Sequence, residues 1–73
     1  MKTYLTVMFS SDGETPSQVT GALMNLGFKP TRGAYDYVYE WQGVQDIRDI
    51  IWFADRVHAA LKGTGCMFKF ETV

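Results

Sequence analysis

The sequence predicts an α+β fold in which the elements follow the order strand, helix, strand, strand, helix, strand. Two segments carry apolar residues at helical spacing and end at glycines, and four segments show the alternating or continuous apolar pattern of strands. The helices are predicted over 15–26 and 44–62, and the strands over 3–9, 28–32, 33–41 and 66–72.

The first helix has a clear start and a clear end. Thr15 can cap it, Pro16 suits its first position, and Gln18 completes a capping box. Gly27 is the expected left-handed residue after its last turn. The core-facing residues of this helix are predicted to be Val19, Ala22, Leu23 and Leu26.

The second helix is predicted to present an aliphatic stripe to the core. Trp52 lies about 140° from Ile47 on a helical wheel, so it is expected to be exposed, with Arg48 and Arg56 one turn to either side. Phe53 is expected at the edge of the core. The predicted stripe consists of Ile47, Ile50, Ile51, Ala54, Val57 and Leu61.

This order of elements corresponds to the ferredoxin-like split βαβ sandwich, βαββαβ, in which two right-handed crossovers are joined by a hairpin. The four-stranded antiparallel sheet is expected in the order 4-1-3-2, with both helices on one face. Pro30 cannot donate a ladder hydrogen bond, which favours an edge position for the second strand. The 73 residues are expected to form one domain, 1–73.

The third strand is predicted to have one aromatic face and one acidic face, because side chains alternate along a strand. Burying its two carboxylates among aliphatic side chains would cost several kcal/mol each. The aromatic face is therefore expected to meet the helices, although the reverse assignment stays open. The aromatic face carries Tyr35, Tyr37, Tyr39 and Trp41, and the other face carries Asp36, Val38 and Glu40.

The uncovered face of the sheet is expected to mix apolar and charged side chains. A patch of this kind on a small domain tends to be covered, and a second copy related by a two-fold axis is the expected cover. The expected interface residues, including the exposed tryptophan of the second helix, are Tyr4, Met8, Trp52, Met67 and Lys69.

Composition excludes several classes of function. The net charge is −1 and the basic residues are dispersed, so nucleic acid is not expected as a partner. His58 and Cys66 are the single histidine and cysteine, so no metal site built from these residue types is predicted, and no cofactor is expected. A lone thiol, a short apolar N-terminal stretch and the lack of about 18 consecutive apolar residues predict a cytoplasmic protein without a membrane partner.

The segment Gly33-Ala34-Tyr35-Asp36-Tyr37-Val38 resembles the Gly-x-Tyr-Asp-Tyr strand of the effector-binding (RAM) domain of Lrp/AsnC-type regulators, which also occurs as a free-standing module. The resemblance covers these six residues and the order of elements. It implies a domain that dimerises and binds amino acids near the subunit interface, with Gly33 and Asp36 close to the effector.

The leading prediction is a non-enzymatic, homo-oligomeric module that binds a small ligand or a protein partner. The candidate ligand-binding residues are Gly33, Asp36, Val38 and Glu40. One alternative is an enzyme of the dimeric α+β barrel type, with Asp36 as general base in a cavity at the sheet face. A weaker alternative is single-stranded RNA binding, with bases stacked on the tyrosines of the third strand.

Overall fold

The chain folds into a four-stranded antiparallel sheet with two helices. The structure is a computed structural model and describes residues 1–43 and 45–73. The strand order is β2-β3-β1-β4, which confirms the predicted order 4-1-3-2 and the α+β ferredoxin-like sandwich. The elements are β1 (Lys2–Met8), α1 (Pro16–Asn25), β2 (Lys29–Pro30), β3 (Tyr37–Glu40), α2 (Ile47–Leu61) and β4 (Met67–Thr72).

Helix α1 begins and ends where the sequence predicts. Thr15 accepts the backbone N–H of Gln18, and the Gln18 side chain accepts the N–H of Thr15, which completes the capping box. Gly27 has φ +105°, and a Cβ atom at this position would lie 2.7 Å from the ring of Tyr39. Gly27 therefore permits both the helix end and the close packing of Tyr39.

Helix α2 begins at Ile47, later than the predicted start at Val44, which itself lies outside the described residues. Asp46 caps the helix by accepting the N–H of Arg48 at 2.9 Å. The Asp49 side chain accepts the N–H of Asp46 at 3.2 Å, so this helix also has a capping box. The predicted start missed this box because its second member is Asp, whereas Glu or Gln is usual at that position.

The predicted core stripe of α2 is wrong at its N-terminal end. Ile47 and Ile51 are 65% and 55% exposed, whereas Phe53 is 4% exposed. The buried stripe is thus rotated by about 50° from the predicted one, at 100° per residue. The rings of Tyr39 and Trp41 lie 4.4 and 5.2 Å from that of Phe53. Turning Phe53 inward buries more apolar area than an isoleucine would.

The aromatic stretch is divided between the two faces of the sheet. Tyr37 is 5% exposed, and Tyr39 and Trp41 pack against the core from the helix side, as predicted. Tyr35 departs from the prediction because β3 starts only at Tyr37, and its ring lies on the open face. β2 is also shorter than predicted, with two residues.

Two of the aromatic residues on the helix side, Tyr37 and Trp41, have hydrogen-bonded polar groups. The hydroxyl of Tyr37 lies 2.6 Å from that of Thr20, which ties β3 to α1. Trp41 Nε1 donates to Oγ1 of the fully buried Thr3 at 2.8 Å, and Thr3 is hydrogen-bonded to Thr72. These bonds offset the cost of burying polar atoms and fix the ring positions.

Candidate functional site

The pairing of β3 with β1 ends at Asp36, whose side chain makes a hydrogen bond that the backbone would make in a continuing strand. Its N–H donates to the carbonyl of Leu5 at 3.0 Å, and its Oδ2 accepts the N–H of Val7 at 2.8 Å. Its own carbonyl accepts the N–H of Thr31 at 2.9 Å. The carboxylate supplies the acceptor that a continuing strand would have supplied, so the chain bends here and the side-chain alternation breaks.

The bend places Tyr35 on the open face of the sheet. Its ring stacks on that of Tyr4, with centroids 4.4 Å apart and an interplanar angle of 23°. Its hydroxyl donates to Oε2 of Glu71 at 2.6 Å. This hydrogen bond, together with the negative charge of Glu71, raises the pKa of Tyr35. The predicted interface residue Tyr4 therefore belongs to a stacked aromatic pair, in which the hydroxyl of Tyr35 is bound to Glu71.

Met8 and Met67 are the most exposed apolar side chains of the sheet. They face each other directly in the β1–β4 ladder, and they are 67% and 68% exposed. A depression of about 330 Å³ lies over this end of the two strands. The residues that line it are three cross-strand pairs, Thr6 with Lys69, Val7 with Phe68, and Met8 with Met67.

The charged groups around the open face differ in whether they are paired. Glu40 lies 3.5 Å from the ammonium group of Lys2. Within the described ranges the other ion pair joins Arg48 and Asp46 on α2, so Lys69 forms none there. Lys69 is thus an exposed ammonium group beside an apolar depression.

The four candidate ligand-binding residues do not gather around one cavity. Gly33 is exposed, has φ +100°, and has open space around its Cα. Val38 is half-buried opposite Tyr4 in the ladder, and Glu40 lies at the far end of β3 from Asp36. Neither carboxylate borders the depression beside Met8.

The predicted interface residues form two separate surfaces. Tyr4, Met8, Met67 and Lys69 share the open face, whereas Trp52 lies on the helix layer. Trp52 is 59% exposed, as expected, and the guanidinium carbon of Arg56 lies 5.3 Å from the centre of its ring.

A second depression, of about 470 Å³, lies where α2 meets β4. It brings together the single histidine, His58, and the single cysteine, Cys66, with Lys62 beside them. The two residues are eight apart across a glycine turn, so neither a helical nor a strand repeat could have indicated their proximity. Among residues 1–43 and 45–73, no group of three or more potential metal ligands occurs.

Two of the open alternatives can be set against this geometry. The base-stacking alternative needs the aromatic rings of β3 on the open face, but Tyr37, Tyr39 and Trp41 lie against the helices. The barrel-enzyme alternative needs Asp36 as a base; Oδ2 of its carboxylate already accepts the N–H of Val7, which leaves Oδ1 for that role.

A comparison of the chain with family models, curated proteins and solved structures finds no match. Neither α1 nor α2 has the length and apolar character that crossing a bilayer requires.

Proposed function

We propose that this protein is a non-catalytic binding module that works as a homo-oligomer and takes a small, largely apolar ligand on the open face of its sheet. The observation that carries the proposal is the exposed cross-strand pair of Met8 and Met67 beside the depression over β1 and β4. The proposed ligand lies across these two side chains.

The chemistry of this surface suits an adaptable apolar contact. Methionine side chains are flexible and polarizable, and they are frequent at surfaces that accept varied apolar partners. Removing apolar surface from water stabilises a complex by about 25 cal/mol of free energy per Å². The stacked rings of Tyr4 and Tyr35 lie on the same face beyond the Thr6–Lys69 pair, and Lys69 can hold a polar or anionic group of the ligand.

The carboxylates around the open face have structural partners. Asp36 accepts a hydrogen bond from the N–H of Val7, and Glu71 accepts one from the hydroxyl of Tyr35. Glu40 forms an ion pair with Lys2. These contacts give each carboxylate a role in holding the fold together, so no catalytic role is needed to account for them.

The proposal can be tested with the fluorescent apolar anion 1-anilinonaphthalene-8-sulfonate (ANS). Titration is followed by NMR of the methionine methyl groups. We expect saturable shifts at Met8 and Met67, and no shift at Met24, which is 53% exposed on α1 and serves as an internal control. Binding through Met24 to the same extent, or no saturable shift at Met8 and Met67, would overturn the proposal.

A matched pair of variants sharpens this test. Met67→Ser removes most of the apolar contact and is expected to weaken ANS binding about tenfold, the effect of losing a partly covered apolar side chain. Met24→Ser removes the same atoms from the other side of the molecule and is expected to leave binding unchanged. Equal affinity of Met67→Ser and the unmodified protein would contradict the proposed surface.

A further inference from the structure

The two edges of the sheet differ in how they are protected against pairing. β2 has two residues, Lys29 and Pro30, and proline has no N–H to offer. β4 has six residues, Met67–Thr72, and no proline. Natural sheets commonly shorten or block their edges because an open edge invites another strand. The outer edge of β4 is neither short nor blocked by proline, and its two charged side chains, Lys69 and Glu71, are of opposite sign.

We propose that two copies of this protein pair through their β4 edges, antiparallel about a two-fold axis centred on Phe70. The four strands of each copy then form one continuous sheet. The inference rests on the homo-oligomeric part of the proposed function, and it names the surface that forms the oligomer.

The directions of the backbone groups determine which residues can pair. Lys2 and Val73 exchange both of their backbone hydrogen bonds, at 3.0 and 2.9 Å, so Val73 directs its N–H and C=O toward β1. These directions alternate along an antiparallel strand. The residues that direct their N–H and C=O to the outer edge are therefore Phe68, Phe70 and Thr72.

The same three residues determine how the two copies face each other. Phe68 and Phe70 pack against the core, and Thr72 is hydrogen-bonded to the buried Thr3, so their side chains lie on the helix side. Residues directly opposite in a sheet share a face. The helices of both copies must then lie on one side, and the two open faces join into one.

Charge selects the register. With the axis at Phe70, Lys69 lies directly opposite Glu71 of the second copy, and the reciprocal pair forms as well. An axis at Lys69 or at Glu71 would put like charges opposite each other, which is destabilising. An axis at Phe68 would leave Glu71 beyond the overlap. The Phe70 register pairs all outward backbone groups, with about six hydrogen bonds between the copies.

The side chains on the open face are available for this register. Lys69 has no ion pair within the described part of the chain. Glu71 uses Oε2 for Tyr35, and a carboxylate has two oxygens, so Oε1 can accept Lys69 of the second copy. Met67 and Val73, which are 68% and 70% exposed, come to lie opposite each other across the same edge.

Charge reversal with mixing tests the register. Lys69→Glu and Glu71→Lys each replace both attractive pairs by repulsive ones, and each is expected to weaken self-association about tenfold or more. An equimolar mixture of the two variants restores opposite charges at both positions. Sedimentation velocity is expected to show dimers in the mixture and in the unmodified protein, and far fewer in either variant alone.

Two controls separate the register from other effects. Lys29→Glu makes the same charge change at the β2 edge, and Tyr35→Phe removes only the hydrogen bond to Glu71; both are expected to dimerise normally. The inference is overturned if the mixture stays monomeric while circular dichroism shows both variants folded, or if the unmodified protein is a monomer at millimolar concentration. Saturable ANS shifts at Met8 and Met67 in such a monomer would still support the proposed ligand-binding surface.

Discussion

The carboxylate of Asp36 accepts the backbone N–H of Val7 at 2.8 Å, at the point where β3 ends. This single contact separates Tyr37, which is buried under the helices, from Tyr35, which stacks on Tyr4 on the open face. A side chain thus takes the place of the backbone in the ladder. Tyr35 lies on the open face because the Asp36 side chain replaces a backbone acceptor at this point.

Removing the Asp36 carboxylate should destabilise the fold. In Asp36→Ala the N–H of Val7 loses its acceptor in a partly buried place, which costs about 1–2 kcal/mol of unfolding free energy. Asp36→Asn keeps an acceptor oxygen and should lose clearly less. Urea unfolding measures both, with Asp12→Ala in the exposed loop as a control of similar charge change. Equal stability of Asp36→Ala and Asp12→Ala would contradict the structural role.

Two glycine substitutions should change stability in opposite directions. Gly27→Ala places a Cβ at φ +105° and against the Tyr39 ring, which should cost about 1–2 kcal/mol from the backbone alone. Gly21→Ala lies within α1 with open space around it and should stabilise by about 0.5–1 kcal/mol. Thermal unfolding of both variants compares them directly, and a neutral Gly27→Ala would contradict both the positive φ of Gly27 and the close packing of Tyr39 against it.

Acid should weaken the start of α2 through Asp46. The backbone N–H of Arg48, and then its side chain, lower the pKa of Asp46 below its ordinary value of 3.8. A lowered pKa contributes stability that is present above the unfolded value and is lost as the pH falls through the folded value. Asp46→Asn still caps but does not titrate.

The stability difference between the unmodified protein and Asp46→Asn should therefore be constant near neutral pH and should shrink below about pH 4. Chemical unfolding at a series of pH values measures it. A difference that stays constant down to pH 2 would contradict the described cap.

Local signals made much of the fold predictable. The capping box of Thr15 and Gln18 fixed the start of α1, and Pro30 indicated the edge strand. The alternation of Met67 and Lys69 with Phe68 and Phe70 assigned both faces of β4. In each case the controlling interaction lies within a few residues along the chain.

The errors arose where a distant residue decided the local conformation. Tyr35 changes face because Asp36 bonds to Val7, which is 29 residues away. Phe53 takes the core position predicted for Ile47 and Ile51 because the rings of Tyr39 and Trp41 lie against it. Periodicity describes one segment at a time and contains neither contact.

The candidate site was predictable in part for the same reason. Tyr4, Met8, Met67 and Lys69 share the open face because strand alternation put them there, whereas the depression over β1 and β4 depends on the register of two strands far apart in sequence. Predicting the open outer edge of β4 would also have required the sheet order and the directions of its backbone hydrogen bonds, which only the three-dimensional structure supplies.

Pairing of two copies through β4 is tested most directly by amide hydrogen exchange along this strand at low-micromolar and at millimolar protein concentration. We expect the amides of Phe68, Phe70 and Thr72 to exchange rapidly at low concentration and slowly at high concentration. Those of Lys69 and Glu71, which face β1, should be protected at both. Rapid exchange of the three outward amides at both concentrations would contradict pairing of two copies through this edge.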